Sequence, residues 1–212
     1  MPPAATEIKP SKLVIVNRLL MVLVILTGLY LTLSPFYPQV SLWVKRRLHP
    51  NFAPYGGDLA AAIDKTKAAS DQPTTQIPDD NRLVIPRIQL NMNIFEGKYS
   101  STLDKGPWRI PFTSTPDRGS NTVIAGHRWT YGAASDSFIN LDKIKLDDPI
   151  AVYWQKKEYL YQVVDIKVVH PSDIEVEMPT TDETLTLYTC TPMWTSRDRL
   201  VVIAKRINKD AP

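Results

Sequence analysis

Leu185-Thr186-Leu187-Tyr188-Thr189-Cys190 and Arg199-Leu200-Val201-Val202-Ile203-Ala204 are the two runs whose reading decides the fold. Both are short and apolar, with β-branched side chains that suit a pleated, half-buried surface. The loop 191–198 between them carries Pro192, a local breaker. If the runs pair antiparallel, the end of the first lies beside the start of the second, which brings Cys190 and Arg199 to one rim.

Working outward, the same signals recur. Residues 83–85 and 88–94 are apolar stretches broken by Pro86, and 121–125 is a β-branched run ending at Gly126. Residues 150–154 follow the turn Asp147-Asp148-Pro149. Along 159–169, Val164, Ile166 and Val168 alternate with Asp165 and Lys167, which predicts a half-buried strand with the three apolar residues inward. Only 136–144 reads as helical, with Phe138, Leu141 and Ile144 inward. Many short strands with frequent turns predict an all-β, closed domain over 81–208 with one or two short helices, followed by a tail, 209–212.

Composition narrows the function. A 212-residue chain that is 43% hydrophobic has room for one domain plus accessory segments. A net charge of +3, scattered along the chain, gives no footprint for nucleic acid. A single cysteine excludes an internal disulfide framework and any cysteine-cluster metal site. No Asp-x-Asp-x-Asp loop or paired-histidine pattern occurs, so no metal or cofactor is expected; the residues do not bear on calcium dependence.

The N-terminal region carries a different signal. Residues 13–37 are mostly apolar, and about 20 apolar residues span a bilayer. A cleaved signal peptide needs a small-x-small site that Ser34-Pro35-Phe36-Tyr37-Pro38 does not offer, and a buried core helix needs a polar face that this run lacks. A retained single-pass anchor is the favoured reading, after a short tail, 1–12. Charge does not orient it: Lys9, Lys12 and Arg18 precede the span, but Lys45, Arg46 and Arg47 follow it. Residues 38–80 read as a membrane-proximal linker. Within it, 43–48 form a short amphipathic segment suited to a membrane surface, 59–69 a candidate helix capped by Asp58, and 72–80 a solvated spacer.

The chemistry gathers at strand ends. Cys190 closes one run, Arg199 opens the next, and His127 follows Val123-Ile124-Ala125-Gly126. A thiolate is a nucleophile, a histidine moves protons and an arginine holds a developing oxyanion. From residue types alone a buried structural thiol stays open for Cys190, as does His170, at the end of the long strand, for the histidine. His49 lies in the linker, and Arg197 is read as a surface charge.

These segments resemble the sortases, bacterial membrane-anchored cysteine transpeptidases. The family pattern is Thr-Leu-x-Thr-Cys, Gly-His and Arg-Leu-x-Val; here it reads Thr186-Leu187-Tyr188-Thr189-Cys190, Gly126-His127 and Arg199-Leu200-Val201-Val202. Leu83-Val84-Ile85-Pro86-Arg87-Ile88, Glu96-Gly97, Leu103-Asp104-Lys105-Gly106-Pro107-Trp108, Phe138-Ile139-Asn140-Leu141 and Val169-His170-Pro171 fit in the same order. The resemblance implies an eight-stranded sortase-type β-barrel behind an N-terminal transmembrane helix, with the N-terminus cytoplasmic and the catalytic domain extracellular. It implies Cys190 as nucleophile, His127 as general acid and base, and Arg199 as oxyanion and substrate stabiliser. The implied substrate is an exported protein with a C-terminal LPXTG-like sorting signal, and the acceptor an amine on a peptidoglycan precursor or a pilin. Thr189, Trp194, Ile94 and Trp129 are candidates to line the substrate groove, with simple packing as the alternative for Trp194, Ile94 and Trp129. Two rival functions remain: a non-catalytic binding module on the same barrel, and a cysteine hydrolase that releases surface proteins.

Overall fold

The computed structural model describes residues 12–48, 77–129 and 138–207. The chain divides into two units, Met1–Trp43 and Val44–Pro212.

In the first unit, helix α1 (Lys12–Leu33) is apolar on every side, with all its residues exposed and a mean hydropathy of 2.2 over its most apolar window. At 1.5 Å per residue its 22 residues reach about 33 Å, against a hydrocarbon core of about 30 Å. Thr27 and Thr32 donate their hydroxyls to Leu23 O and Gly28 O within the helix, so neither needs water. This helix is a candidate membrane anchor. A 3₁₀ turn, Ser34–Phe36, leads to a second helix, α2 (Tyr37–Leu48), with Lys45, Arg46 and Arg47 in its last turn. The amphipathic segment expected over 43–48 is therefore the second half of a longer helix. The helix expected over 59–69, and most of the spacer 72–80, fall outside the described residues.

The second unit is a β-barrel. Its strands are β1 (Arg82–Ile85), β2 (Leu90–Asn93), β3 (Phe95–Glu96), β4 (Trp108–Arg109), β5 (Asn121–Ala125), β6 (Pro149–Trp154), β7 (Lys157–Val169), β8 (Thr184–Thr191) and β9 (Asp198–Arg206). They form one sheet in the order β2-β1-β6-β7-β9-β8-β5-β4-β3. Neighbours are antiparallel except for the pairs β3/β4 and β5/β8. The two outermost strands, β2 and β3, are joined by Ile94 alone. Ile94 N donates to Asn81 O (2.8 Å) and Phe95 N to Pro107 O (2.8 Å), so the chain steps from one edge of the sheet to the other and nearly closes the barrel. Taken as one strand bent at Ile94, β2 and β3 reduce the nine strands to the expected eight.

The core lies inside this ring. Leu83, Ile85, Ile124, Ile150, Leu185 and Leu187 are fully buried in one cluster. Strand β8 is covered on both faces over its first four residues, which explains why its sequence is a nearly unbroken apolar and threonine run. Its threonines are placed by hydrogen bonds: Thr186 Oγ1 donates to Asn121 Oδ1 at 2.8 Å.

Two expectations change. The segment read as helical over 136–144 is a 3₁₀ turn, Leu141–Lys143, within the described part from residue 138 on. Phe138, Leu141 and Ile144 do point inward, because spacings of three suit a 3₁₀ turn as well as an α-helix. On β7, Ile166 packs against the core, but Val164 and Val168 are exposed. For Val164 the cause is a β-bulge: Val163 pairs with Ala204 and Asp165 with Ile203, which leaves Val164 as the extra residue, whereas Val168 keeps the register of Ile166. Beyond that point β7 has outrun β6, whose last partner is Gln162, so that stretch has one strand neighbour instead of two.

Candidate active site

Three strand ends meet at one rim. In the β8/β9 ladder Cys190 and Arg199 are direct cross-strand partners. Side chains of directly opposed residues share a face, with Cβ atoms about 5 Å apart. In the parallel β5/β8 ladder Ala125 stands opposite Tyr188, and Gly126 N donates to Tyr188 O (3.2 Å). The same offset, carried two residues on, sets His127 opposite Cys190. His127 just past β5, Cys190 near the end of β8 and Arg199 near the start of β9 thus come to the same rim.

All three line one cleft of about 250 Å³. Its apolar wall includes Leu103, Val169, Pro171, Ile174 and Val176; its polar groups include His170, Asp173 and Glu177. The wall from the β7–β8 connection is anchored from below. Asn121, buried at the start of β5, donates its Nδ2 to Val176 O and Met178 O, both at 3.0 Å, while its Oδ1 accepts from Thr186. Tyr188 donates to Glu177 Oε1 at 2.8 Å across the same cleft. Burial first, and then the bond to Glu177, push the Tyr188 phenol well above its ordinary pKa, so it stays a neutral donor.

Each partner is held locally. Arg199 Nη1 donates to Ser196 O (3.0 Å) and Asp198 O (3.2 Å), which curls the guanidinium over the turn that leads into β9. His127 Nε2 lies 3.2 Å from Asp104 Oδ1, on the 3₁₀ turn Ser100–Lys105. Asp104 was invisible as a partner in the sequence: it lies 23 residues away, and no spacing rule links a 3₁₀ turn to a strand end. His170 shares the cleft with His127, but its Nδ1 is bonded to Ser172 Oγ at 2.8 Å within its own turn.

The other groove candidates separate. Thr189 lines the cleft, but its buried hydroxyl donates to Gly126 O (2.7 Å) and so fixes the backbone beside His127. Ile94, Trp129 and Trp194 are not among the residues lining this cleft. Ile94 sits in the barrel core as the residue that closes it. Trp129 and Trp194 pack edge to face, with centroids 4.4 Å apart and planes at 60°, joining the loop after His127 to the loop after Cys190. Among the described residues no group of three or more His, Cys, Asp or Glu side chains converges to hold a metal.

Residues 83–207 match the family model described as Sortase domain. The chain is 29% identical over 219 residues to Sortase SrtE1 of Streptomyces coelicolor, covering 95% of this chain and 60% of that protein. It is 26% identical over 129 residues to Sortase D of Bacillus subtilis, covering 59% of this chain and 62% of that protein. The chain therefore spans about three fifths of the length of these relatives. Among solved structures, the lid mutant of Streptococcus agalactiae Sortase C1 superposes with a TM-score of 0.56 at 29% identity, over 71% of this chain and 83% of that one. The Clostridium perfringens Sortase D5 transpeptidase gives 0.54 at 25% identity, over 72% and 90%.

Proposed function

Because this chain belongs to the sortase family, we propose that it is a membrane-anchored cysteine transpeptidase acting on exported proteins that end in an LPXTG-like sorting signal. The observation that supports this reading is that His127, Cys190 and Arg199 line one cleft, with Cys190 and Arg199 as direct cross-strand partners.

The thiolate of Cys190 attacks the carbonyl carbon of the scissile peptide and forms a tetrahedral intermediate. Arg199, the cross-strand partner of Cys190, serves as the cation for the oxyanion that develops there, in a partly desolvated cleft. His127 gives a proton to the leaving amine as the C–N bond breaks, which leaves an acyl thioester on Cys190. An incoming amine, on a peptidoglycan precursor or a pilin, loses its proton to His127 and attacks the thioester. The new amide forms as Cys190 departs. Asp104 orients the imidazole from the solvent side. The apolar wall made by Leu103, Val169, Pro171 and Ile174 suits the Leu and Pro of such a signal. In this reading the N-terminus is cytoplasmic and the barrel extracellular, the arrangement that the sortase resemblance implies.

The test is intact-mass analysis of the full chain in detergent, mixed with a panel of sorting-signal peptides, beside Cys190→Ala. A mass increase equal to the peptide's N-terminal fragment, absent in the variant, supports the thioester. Ligation to an added amine then supports transpeptidation. Release of free acid alone would favour a hydrolase, and no adduct with any peptide would favour a binding module.

A further inference from the structure

The β5/β8 ladder stops just short of the reacting groups. Its last backbone tie is Gly126 N to Tyr188 O, backed by Thr189 Oγ1 to Gly126 O. His127 O turns away and accepts from Phe138 N (3.0 Å). Yet the strands stay in register beyond this point, because Arg128 Nη1 donates to Thr191 Oγ1 at 2.9 Å. That bond joins the residue after His127 to the residue after Cys190, at the same separation of 63 that relates Gly126 to Thr189. A side chain continues what the backbone has ceased to do.

The other fork of the same guanidinium is 3.3 Å from Asp142 Oδ2, on the 3₁₀ turn Leu141–Lys143. Asp142 also meets Lys143 at 3.1 Å. Arg128 is only 8% exposed, and its Nε finds no acceptor among the described residues, so the two Nη groups carry the connection. A buried cation costs free energy to keep unless it is paired and hydrogen-bonded. A planar fork that reaches two acceptors on different elements suits that duty, and a lysine cannot reproduce it.

We propose that Arg128 is a positioning residue that holds the His127 imbedded strand end in register with Cys190 by cross-linking it to Thr191 and bracing it on Asp142. The proposal rests on the transpeptidase reading for its kinetic consequence, but not for its geometry. Displacement of about 1 Å at a reacting group costs on the order of 100-fold in rate, so a small slip of this clamp is expected to appear in kcat before it appears in folding.

The experiment compares wild type, Thr191→Val, Thr191→Ser, Arg128→Lys and His127→Ala, all as full chain in detergent. Thr191→Val removes the acceptor at nearly constant volume; Thr191→Ser keeps it. Two readouts are taken: kcat and KM for peptide ligation, and the rate of Cys190 alkylation by iodoacetamide against pH, which needs no peptide because Cys190 is the only thiol. Thr191→Val and Arg128→Lys are expected to lose at least tenfold in kcat with KM within twofold, more than any loss of folded fraction at the assay temperature accounts for, and to shift the alkylation profile in the direction that His127→Ala shifts it. Thr191→Ser should stay within twofold of wild type. If Thr191→Val gives a wild-type alkylation profile, or loses kcat only in proportion to stability, the proposal is overturned. If wild type itself ligates no peptide, the transpeptidase reading falls, and the alkylation profiles still decide the clamp.

Discussion

Phe112 offers the sharpest test of how this chain distributes strain. It sits in the turn after Ile110-Pro111 with φ = 67°, and its side chain is fully exposed. The turn is tied down around it: Thr113 Oγ1 donates to Ile110 O at 2.8 Å, and Arg109 Nη1 donates to Thr113 O at 3.1 Å. The left-handed region costs a side-chain-bearing residue about 1–2 kcal/mol, because Cβ crowds the following carbonyl. Glycine escapes that cost but loses about 0.5–1 kcal/mol more backbone entropy on folding. The exposed ring returns no burial energy. Phe112→Gly should therefore stabilise the barrel by about 0.5–1 kcal/mol, raising the melting temperature by roughly 2–4 °C for a domain of this size. Phe112→Ala keeps the Cβ and should change little. Scanning calorimetry of the full chain in detergent measures both. If Phe112→Gly melts at or below wild type while Phe112→Ala matches it, the strain argument is refuted.

Other perturbations read different parts of the structure. Asp104→Asn should lower kcat by only about two- to fivefold in a peptide ligation assay, because the carboxylate is 69% exposed and water screens its pull on His127. Asn121→Ala removes the donor to two carbonyls and the acceptor of Thr186, and should destabilise by about 2–3 kcal/mol in denaturant titration. It should also speed amide exchange across Ile174–Glu177, the cleft wall it anchors. The Tyr161 phenol is pushed up to about 12, by burial above all and against the opposing pull of Arg206. In the unfolded chain it ionises near its ordinary value of 10.0. The folded state holds the proton more tightly, so this contribution is intact below pH 10 and is lost as pH rises toward 12. The denaturation midpoint should fall across that window, and fall less in Tyr161→Phe.

What was legible in the sequence, and what was not, follows from the range of the contacts. Cys190 and Arg199 could be placed together because a single short loop joins their strands, and antiparallel pairing does the rest. His127 reaches the same rim through a parallel pairing with β8, which no local pattern announces; the family resemblance supplied it. The bulge at Val164 carries no glycine or proline to mark it, so period-two alternation runs straight through it in the sequence, and Val168 is exposed where β7 has passed its last pairing with β6. The tryptophans near the site looked like groove residues by proximity in sequence, yet Trp129 and Trp194 pack on each other. Arg128 adjoins His127 but has no signal of its own in the sequence, because its value depends on Thr191 and Asp142, which only the folded chain brings near.

The step through Ile94 also limits how a partner can be gripped. Many proteins capture extended peptides by adding them as a further strand to an open sheet. Here the sheet ends in a four-residue strand on one side and a two-residue strand on the other, and those two ends are consecutive in the chain. Little main-chain ladder is left at those two ends for a visiting strand to lengthen; the longer open edge is the part of β7 beyond Gln162, which pairs with β9 alone. The same shortness blunts those two ends as edges on which neighbouring copies could zip together. At the joined ends of β2 and β3, an extended polypeptide would meet side chains and not a free main-chain ladder.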